Sequence, residues 1–452
     1  MATARTIYIT PENTGLGRRK QSEAAARKVT ELLQEDLEKH HCFFNKDGYH
    51  NHISHHLLTL YGMGASPDDI QRGYDDNAHY QRALHEAHSD KVEEPLVDFD
   101  QAKDKLGKRG YYTDFLVFFQ NEIDKKGWRA VLKEYLFQSD GRSEDMLIRM
   151  FGGYLHPIAQ LMFGIEWEQP AIVAMGLAQA AVHQDNARGF LLAAEGAAAG
   201  MPTPIPMPSL ASLCRDVAAD ERLSAAARLS VGNRIRDGVL ARAFDDMVRV
   251  AARVNVAPEE LGPRTVEMYN MAICQAAAAA LRPGKEKEPR FDFFLIHHVN
   301  VCPLFLTVNA QDWIPEAAKV RLLEWKIRLD LVQYAARACA PVSLSLAKIA
   351  SYVPRDWTRK PTAGLLPRIY ALRDDGHVAK LIRAIELCSA ASQEYEYECK
   401  CKSSCADRLQ IRGDALWTKV SQLVVDSAEG EGPNWLRGRK LPTDDRYDTW
   451  TQ

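Results

Sequence analysis

Apolar side chains recur at helical spacing along most of the chain. Between residues 18 and 41 they fall on one helix face and charged side chains on the other, and residues 313–338 repeat the pattern over a longer stretch. Ser66 followed by Pro67 and two acids is typical of a helix start, and Ser143 before two acids predicts another. The chain is therefore predicted to be all-α.

The segments without helical spacing predict the connections. Thr6–Thr10 alternates in the manner of a strand and is predicted to pair at an edge. Alternate prolines in residues 200–209 predict an extended crossing loop, because proline interrupts a regular helix. Residues 394–408 predict a Cys-containing loop, and residues 1–18 an N-terminal arm. Candidate site residues fall on both sides of these loops, so residues 1–452 are predicted to form one large helical domain with long connecting loops.

Charge and cysteine content narrow the classes of partner and the location. Lys and Arg total 57 against 60 for Asp and Glu, which offers no basic field for nucleic acid or for an anionic membrane. Phe293–Gln311 is uncharged but holds two histidines and a proline, so a buried core helix is favoured over a membrane span. Nine cysteines without an export signal indicate reduced thiols and a cytoplasmic location. Cys399, Cys401 and Cys405 lack the paired CxxC spacing of a zinc knuckle, which favours an exposed loop.

Several of the 14 histidines lie in apolar helical segments. A buried imidazole needs a partner for each nitrogen, and binding a metal through one while donating from the other satisfies both. The alternative is a set of core histidines, each bonded to a backbone carbonyl, and the residues alone leave both interpretations open. The candidates are His52 with His56 one turn later, His156, His297 with His298 beside it, and His377.

Lys380 is a second unusual residue, because its sequence neighbours are apolar and His377 shares its helix face. A buried lysine tends to lose its proton, and a neutral amine takes up carbon dioxide to form a carbamate. That product is carboxylate-like and would supply an anionic metal ligand. Taken alone, Lys380 is better explained as a side chain that extends to water along the helix.

Familiar cofactor and nucleophile motifs are missing from the sequence. The nearest approach to a dinucleotide-binding turn, Gly15-Leu16-Gly17, lacks the third glycine and a following acidic partner. No P-loop, HExxH, GxSxG or paired ExxH motif occurs. A flavin enzyme and a carboxylate-bridged di-iron enzyme are therefore not favoured.

Short motifs surround the candidate histidines and Lys380, and their order and spacing extend over most of the chain. They are Asn51-His52 with Leu57-Leu58 and Gly64-Ala65-Ser66, Gly153 to His156, Asp292 to His297, and Asp375 to Lys380. With these motifs the chain resembles the questin oxidase-like family of fungal polyketide pathways. The resemblance implies an oxygenase that cleaves an anthraquinone ring to a benzophenone or a related ring-opened product.

The resemblance also implies a set of ligands and partners. A non-haem Fe²⁺ would be held by His52, His156, His297, His377 and carbamylated Lys380, with His56 as the alternate to His52. Dioxygen and an aromatic polyketide would be the substrates. NADPH is implied for the Baeyer–Villiger-type members, either used directly or by a reductase that supplies the reduced substrate.

Two tyrosines and two alternative functions complete the predictions. Tyr49 and Tyr154 flank the proposed ligands, and their hydroxyls are candidates to bond a phenol or quinone oxygen during catalysis. The same ligands holding zinc would instead predict an ester or lactone hydrolase. A helical interaction protein without an active site is the third interpretation.

Overall fold

The structure is a computed structural model that describes residues 1–85, 96, 98–201, 206–228, 231–281, 288–337, 346–355, 364–400, 407–429 and 435. For residues 397–400 it describes the helical path alone. The described residues form a single all-α domain, which confirms the predicted fold class. They contain no strand, and their only β-type pairings are two isolated bridges.

Twenty α-helices are described: α1 Glu23–Lys39, α2 Ile53–Met63, α3 Pro67–Ala78, α4 Tyr112–Lys126, α5 Trp128–Leu136, α6 Gly141–Met150, α7 Gly152–Glu166, α8 Pro170–Ala181, α9 Arg188–Ala199, α10 Leu210–Ala219, α11 Glu221–Ala226, α12 Phe244–Ala251, α13 Leu261–Ala280, α14 Phe293–Asn300, α15 Pro303–Asn309, α16 Glu316–Arg337, α17 Leu346–Ser351, α18 Leu366–Ala371, α19 His377–Lys400 and α20 Gly413–Glu429. Arg234–Leu240 forms a π-helical turn. Short 3₁₀ turns lie at Asp100–Ala102, Arg109–Tyr111 and Pro258–Glu260.

Four of these helices surround the centre of the molecule. Helix α2 packs against α7 and α19, and α14 packs against the same two helices, so the four form a closed circuit. Every residue of α2 and of α14 is buried. A helix that is apolar all round belongs in a core, which explains the weak amphipathic pattern of these two segments.

The helix starts illustrate the role of local capping. Ser66 caps α3 and shares a reciprocal pair of hydrogen bonds with Asp69, as expected for a capping box. The start predicted at Ser143 was wrong by three residues, because Asp140 accepts from the Ser143 backbone and is the true cap of α6. The long apolar run that begins at Phe293 is divided between α14 and α15, and Pro303 is the first residue of the second helix.

The strand predicted at Thr6–Thr10 is also wrong. The segment is extended, but its backbone donors bond side chains: Ile7 N donates to Gln34 Oε1 at 2.8 Å and Ile9 N to Thr30 Oγ1 at 3.0 Å. Side chains of helix α1 therefore take the place of a partner strand for these two backbone donors. Residues 1–18 contain no helix.

The predicted loops differ in outcome. Residues 394–400 continue helix α19, because Glu396 accepts hydrogen bonds from Gly413 N at 2.9 Å and from Trp417 Nε1 at 3.1 Å. Residues 401–406, which include two of the clustered cysteines, lie outside the described residues. Residues 206–209 are not helical, and 202–205 are outside the described residues. None of the described helices is long and apolar enough to cross a membrane.

Candidate metal centre

Four histidines from four helical segments face one another at the centre of the helix circuit. His52 precedes α2, His156 lies in α7, His297 in α14 and His377 begins α19. Their neighbouring ring centroids are 5.0, 4.9, 4.9 and 4.6 Å apart in the order 52–156, 156–297, 297–377 and 377–52. All four are buried. We call this arrangement the four-histidine ring.

Backbone carbonyls fix the Nδ1 atoms of two members. His156 Nδ1 lies 2.5 Å from Gly153 O, and His297 Nδ1 lies 2.5 Å from Phe293 O. A carbonyl oxygen is only an acceptor, so each Nδ1 carries the proton. Each Nε2 atom is therefore an unprotonated acceptor.

One carboxylate serves the other two members. Asp375 accepts a hydrogen bond from Nδ1 of His377, and its Oδ2 lies 3.2 Å from Nδ1 of His52, a charge contact that favours a proton on that nitrogen although its geometry is not that of a hydrogen bond. Since a carboxylate also only accepts, the Nε2 atoms of both rings are left with lone pairs. A second oxygen acceptor behind each ligating histidine is the usual arrangement in metal sites, because it sets the tautomer and the ring orientation.

The Nε2 lone pairs face each other in two close contacts. His52 Nε2 lies 2.8 Å from His156 Nε2, and His297 Nε2 lies 3.2 Å from His377 Nε2. Two acceptors at this distance repel unless a cation lies between them. Burial lowers the pKa of His52 to about 3, helped by the charge of Lys380, so a shared proton is disfavoured. Adjacent nitrogens bound at 2.0–2.1 Å to one ion are separated by about 3 Å, so each pair has the spacing of two ligands on one ion. His52 and His377 also lie with Asp375 in a group whose possible ligand atoms are all within 4.8 Å of one another.

Lys380 lies one turn after His377 and is also buried. Burial lowers the pKa of its amine to about 8, while the nearby carboxylates of Asp375 and Asp374 act in the opposite direction. The lysine is thus held among groups of the ring and does not extend to water. A neutral amine in this position is suited to carbamate formation.

Comparison with known proteins identifies the family. The family model described as questin oxidase-like matches residues 49–385, which include all four histidines and Lys380. The chain belongs to the questin oxidase-like family. This confirms the resemblance found in the sequence.

Named relatives cover nearly the whole of this family member. A questin oxidase of Aspergillus terreus is 35% identical over 438 residues, 94% of this chain and 93% of its own. A questin oxidase of Aspergillus fumigatus is 36% identical over 447 residues, 97% of each chain. A Baeyer–Villiger oxidase of Pestalotiopsis fici is 35% identical over 450 residues, 99% of this chain and 96% of its own. The questin oxidase-like chain is an oxidoreductase.

The two alternate histidines of this family member differ in their surroundings. His56 lies close enough to Lys380 and Asp375 to feel their charges, and its buried Nδ1 has no hydrogen-bond partner. His56 packs where α2 meets α3 and α19, and a Cβ added at Gly376 would lie 2.6 Å from its Cβ. His298 Nδ1 lies 2.5 Å from Asp330 Oδ1, and Lys326 Nζ lies 2.6 Å from the same carboxylate. His298 thus belongs to a separate buried trio with Lys326 and Asp330.

Aromatic side chains lie next to two members of the ring. Tyr154 has its ring centroid 6.2 Å from that of His297, whereas Tyr49 stacks on Phe44 at 5.8 Å. Trp435, which the sequence did not single out, lies 5.8 Å from His377 at an interplanar angle of 64°. Its position far along the chain gave no signal of this contact.

In the sequence Asp375 stands out only as part of a motif, yet its carboxylate faces two of the four histidines. Replacing it with asparagine is expected to weaken metal binding by about 10- to 100-fold, because the acceptor behind His52 and His377 loses its charge. Competition with a chromogenic chelator measures the affinity.

Asp374 provides the matched control for this substitution. Its carboxylate accepts from Gly376 N at 3.0 Å and from Val378 N at 2.8 Å, so it caps the start of α19. Asp374→Asn is expected to lower the melting temperature with a smaller change in metal affinity. Equal weakening in the two variants would contradict the role given to Asp375.

Proposed function

We propose that this oxidoreductase is a non-haem iron oxygenase that cleaves a ring carbon–carbon bond of an anthraquinone-type polyketide. The names of its relatives, questin oxidase and Baeyer–Villiger oxidase, support this class of substrate and reaction. The proposal of a metal rests on one observation. The Nε2 atoms of the four rings lie in two close pairs, and the Nδ1 atom of each ring already faces an oxygen. The proposed ligands are His52, His156, His297, His377 and carbamylated Lys380.

The protein's own contribution is the orientation of the ligands. When bound, iron(II) supplies the electrons that activate dioxygen. The carbonyls behind His156 and His297, and Asp375 behind the other two rings, hold the imidazoles in one orientation. Five protein ligands leave one of six positions, so the organic substrate is expected to bind beside the ion.

We place the substrate beside the ring. His52, His156 and Phe293 each keep 7% of their surface exposed, and Lys380 keeps 8%, whereas Leu57 on α2 keeps none. The small exposed parts of the proposed ligands and of Phe293 mark the side from which a substrate would approach. A flat fused-ring substrate fits a slot of this kind, which is apolar with a few polar groups.

The hydroxyl of Tyr154 is proposed as the polar anchor for the substrate. Tyr154 packs against Phe294 at 4.8 Å and approaches His297, so its ring is fixed at the side of the site. We assign its hydroxyl to hold a phenol or quinone oxygen of the substrate. Tyr49, which stacks on Phe44, is the weaker candidate for this role.

Metal analysis and oxygen labelling test the proposal together. Purified enzyme is expected to contain iron and to consume oxygen with questin or its hydroquinone, assayed with and without NADPH. Incorporation of both atoms of ¹⁸O₂ into the ring-opened product supports a dioxygenase, and one atom supports a Baeyer–Villiger monooxygenase. Zinc without oxygen uptake would reject the proposal in favour of a hydrolase. Full activity in a metal-free protein would reject the metal site.

Trp435 offers a test of the substrate slot. Trp435→Ala is expected to raise KM for an anthraquinone about tenfold, because it removes an aromatic face beside His377. Trp435→Phe keeps such a face and is expected to change KM about two- to threefold. Steady-state kinetics with metal content checked in each variant measure the effect.

Trp128 is the control for this loss of indole. It packs against Trp313 at 5.7 Å, in a comparable edge contact on α5. Trp128→Ala is expected to affect stability and to leave KM within about twofold. An unchanged KM in Trp435→Ala would show that Trp435 is not part of the slot.

A further inference from the structure

A second pair of histidines lies against the four-histidine ring. His50 Nε2 and His183 Nε2 are 2.8 Å apart, and their rings are within 12° of parallel. His50 stacks on His156 with centroids 3.8 Å apart and an interplanar angle of 7°. His52 and His156 are themselves within 3° of parallel. The molecule thus holds two nearly flat histidine pairs, one stacked on the other, and we call His50–His183 the outer pair.

The outer pair differs from the His52–His156 pair, which we call the inner pair, in the placement of its protons. His183 Nδ1 lies 2.5 Å from Gln179 O and therefore carries a proton, which leaves its Nε2 as an acceptor. His50 donates from Nε2 and completes the contact. The outer pair is satisfied by one hydrogen bond between neutral rings, whereas the His52–His156 contact needs a cation. The two pairs are therefore suited to different tasks.

Gly153 connects the two pairs. Its carbonyl faces Nδ1 of His156, and its own backbone is left-handed at φ +52°. A Cβ added there would lie 2.9 Å from His50 Nε2 and would overlap His183 Nε2. The hydrogen-bonded Nε2 atoms of the outer pair occupy the space that a side chain at this position would need.

The turn around Gly153 is strained. Tyr154 and Leu155 continue it at φ +55° and +67°, a conformation that disfavours residues with side chains. Strained backbone of this kind persists only where its surroundings hold it in place. The outer pair is one such support, since it packs directly on the glycine that begins the turn.

We infer that His183 is a positioning residue for the proposed metal site. Through its hydrogen bond it fixes the plane of His50, and through His50 and Gly153 it fixes the ring and the Nδ1 acceptor of His156. Nε2 of His156 is thereby kept in line with Nε2 of His52. The inference rests on the proposed function, because the orientation matters only if the inner pair binds an ion.

Cobalt(II) binding to the metal-depleted full chain tests this role without turnover. His183→Phe preserves an aromatic ring and removes the hydrogen bond to His50. It is expected to weaken cobalt affinity about tenfold and to shift the visible absorption of the bound ion. His183→Gln restores an acceptor for His50 and is expected to return both readouts to within about twofold of the wild type.

His41 provides a control of similar burial outside the two pairs. Its Nδ1 accepts from Phe43 N at 3.0 Å. His41→Phe is expected to lower the melting temperature and to leave the cobalt spectrum unchanged. A shift in His41→Phe as large as that in His183→Phe would assign the effect to general packing and overturn the inference.

The remaining outcomes separate this inference from the proposed function. Wild-type affinity and spectrum in His183→Phe would overturn the positioning role alone. Failure of His183→Gln to recover the cobalt affinity or the visible spectrum would also overturn the positioning role. If the wild-type protein binds cobalt no better than His297→Ala does, the metal site itself is wrong and the inference falls with it.

Discussion

Replacing His297 with alanine is expected to lower turnover by a factor on the order of 10³ or more, because the proposed iron loses a ligand. His297 Nε2 lies 3.2 Å from His377 Nε2, and its ring lies 4.9 Å from that of His156, so its removal opens the four-histidine ring. The variant is also expected to purify with little iron. Steady-state kinetics, metal analysis and a melting curve are the three measurements.

His298 makes an unusually close control for this experiment. It is the next residue on α14 and is buried like His297, but it bonds Asp330 on the opposite side. His298→Ala leaves Lys326 and Asp330 paired and removes one hydrogen-bond partner, so the expected loss is about 1–3 kcal/mol of stability. Iron content and kcat are expected to stay near the wild type. Equal loss of iron in both variants would argue that α14 as a whole, and not His297, supports the site.

The different surroundings of His297 and His298 show how much of the site can be predicted from the sequence. The apolar setting of both histidines predicts burial, which the structure confirms. Periodicity does not say which imidazole faces which helix, because the choice depends on the packing of α14 between α7 and α19. The family motif selected His297, and the structure adds the reason in the partner that each ring meets.

Long-range partners were the part that could not be predicted. Asp375 reaches His52 only because α2 and α19 pack together, although the two residues lie 323 positions apart. His183 follows the end of α8 with no motif around it, and Trp435 lies beyond the part matched by the family model. Such contacts follow from tertiary packing, which the spacing of residues along the chain does not predict.

The incorrect local predictions have the same origin. The alternation in Thr6–Thr10 is real, but the side chains of α1 and Gln169 satisfy its backbone in place of a strand. Polar composition suggested a loop from residue 394, while Glu396 binds the start of α20 and keeps α19 helical. Helix existence was well predicted because it depends on a repeated pattern. Helix ends depend on single hydrogen bonds.

Replacing Lys380 with alanine is expected to lower turnover by about 10²-fold, because the only carboxylate-like ligand proposed for the iron is lost. The argument begins with burial, which lowers the pKa of the amine to about 8. At pH 7 about a tenth of the side chain is then neutral, compared with about three parts in ten thousand for a lysine with a pKa of 10.5. Only the neutral amine reacts with carbon dioxide.

Rescue by small molecules distinguishes the carbamate from the amine. If the carbamate is the ligand, acetate or propionate is expected to restore part of the activity and iron content of Lys380→Ala, and ethylammonium is not. The opposite result would assign the role to the protonated or neutral amine. Lys326→Ala removes another buried lysine, one that pairs with Asp330, and its loss of stability is not expected to respond to carboxylates.

The pH dependence gives an independent check on Lys380. Removing carbon dioxide from the metal-depleted enzyme is expected to reverse the carbamate and lower the iron bound on reconstitution. Because the neutral fraction of the amine rises with pH through about 8, the same concentration of dissolved carbon dioxide is expected to restore iron binding faster at about pH 8.5 than at about pH 6.5. A rate independent of pH and of carbon dioxide would mean that Lys380 serves as an unmodified side chain, and the iron would then be held by the four histidines without an anionic ligand from this position.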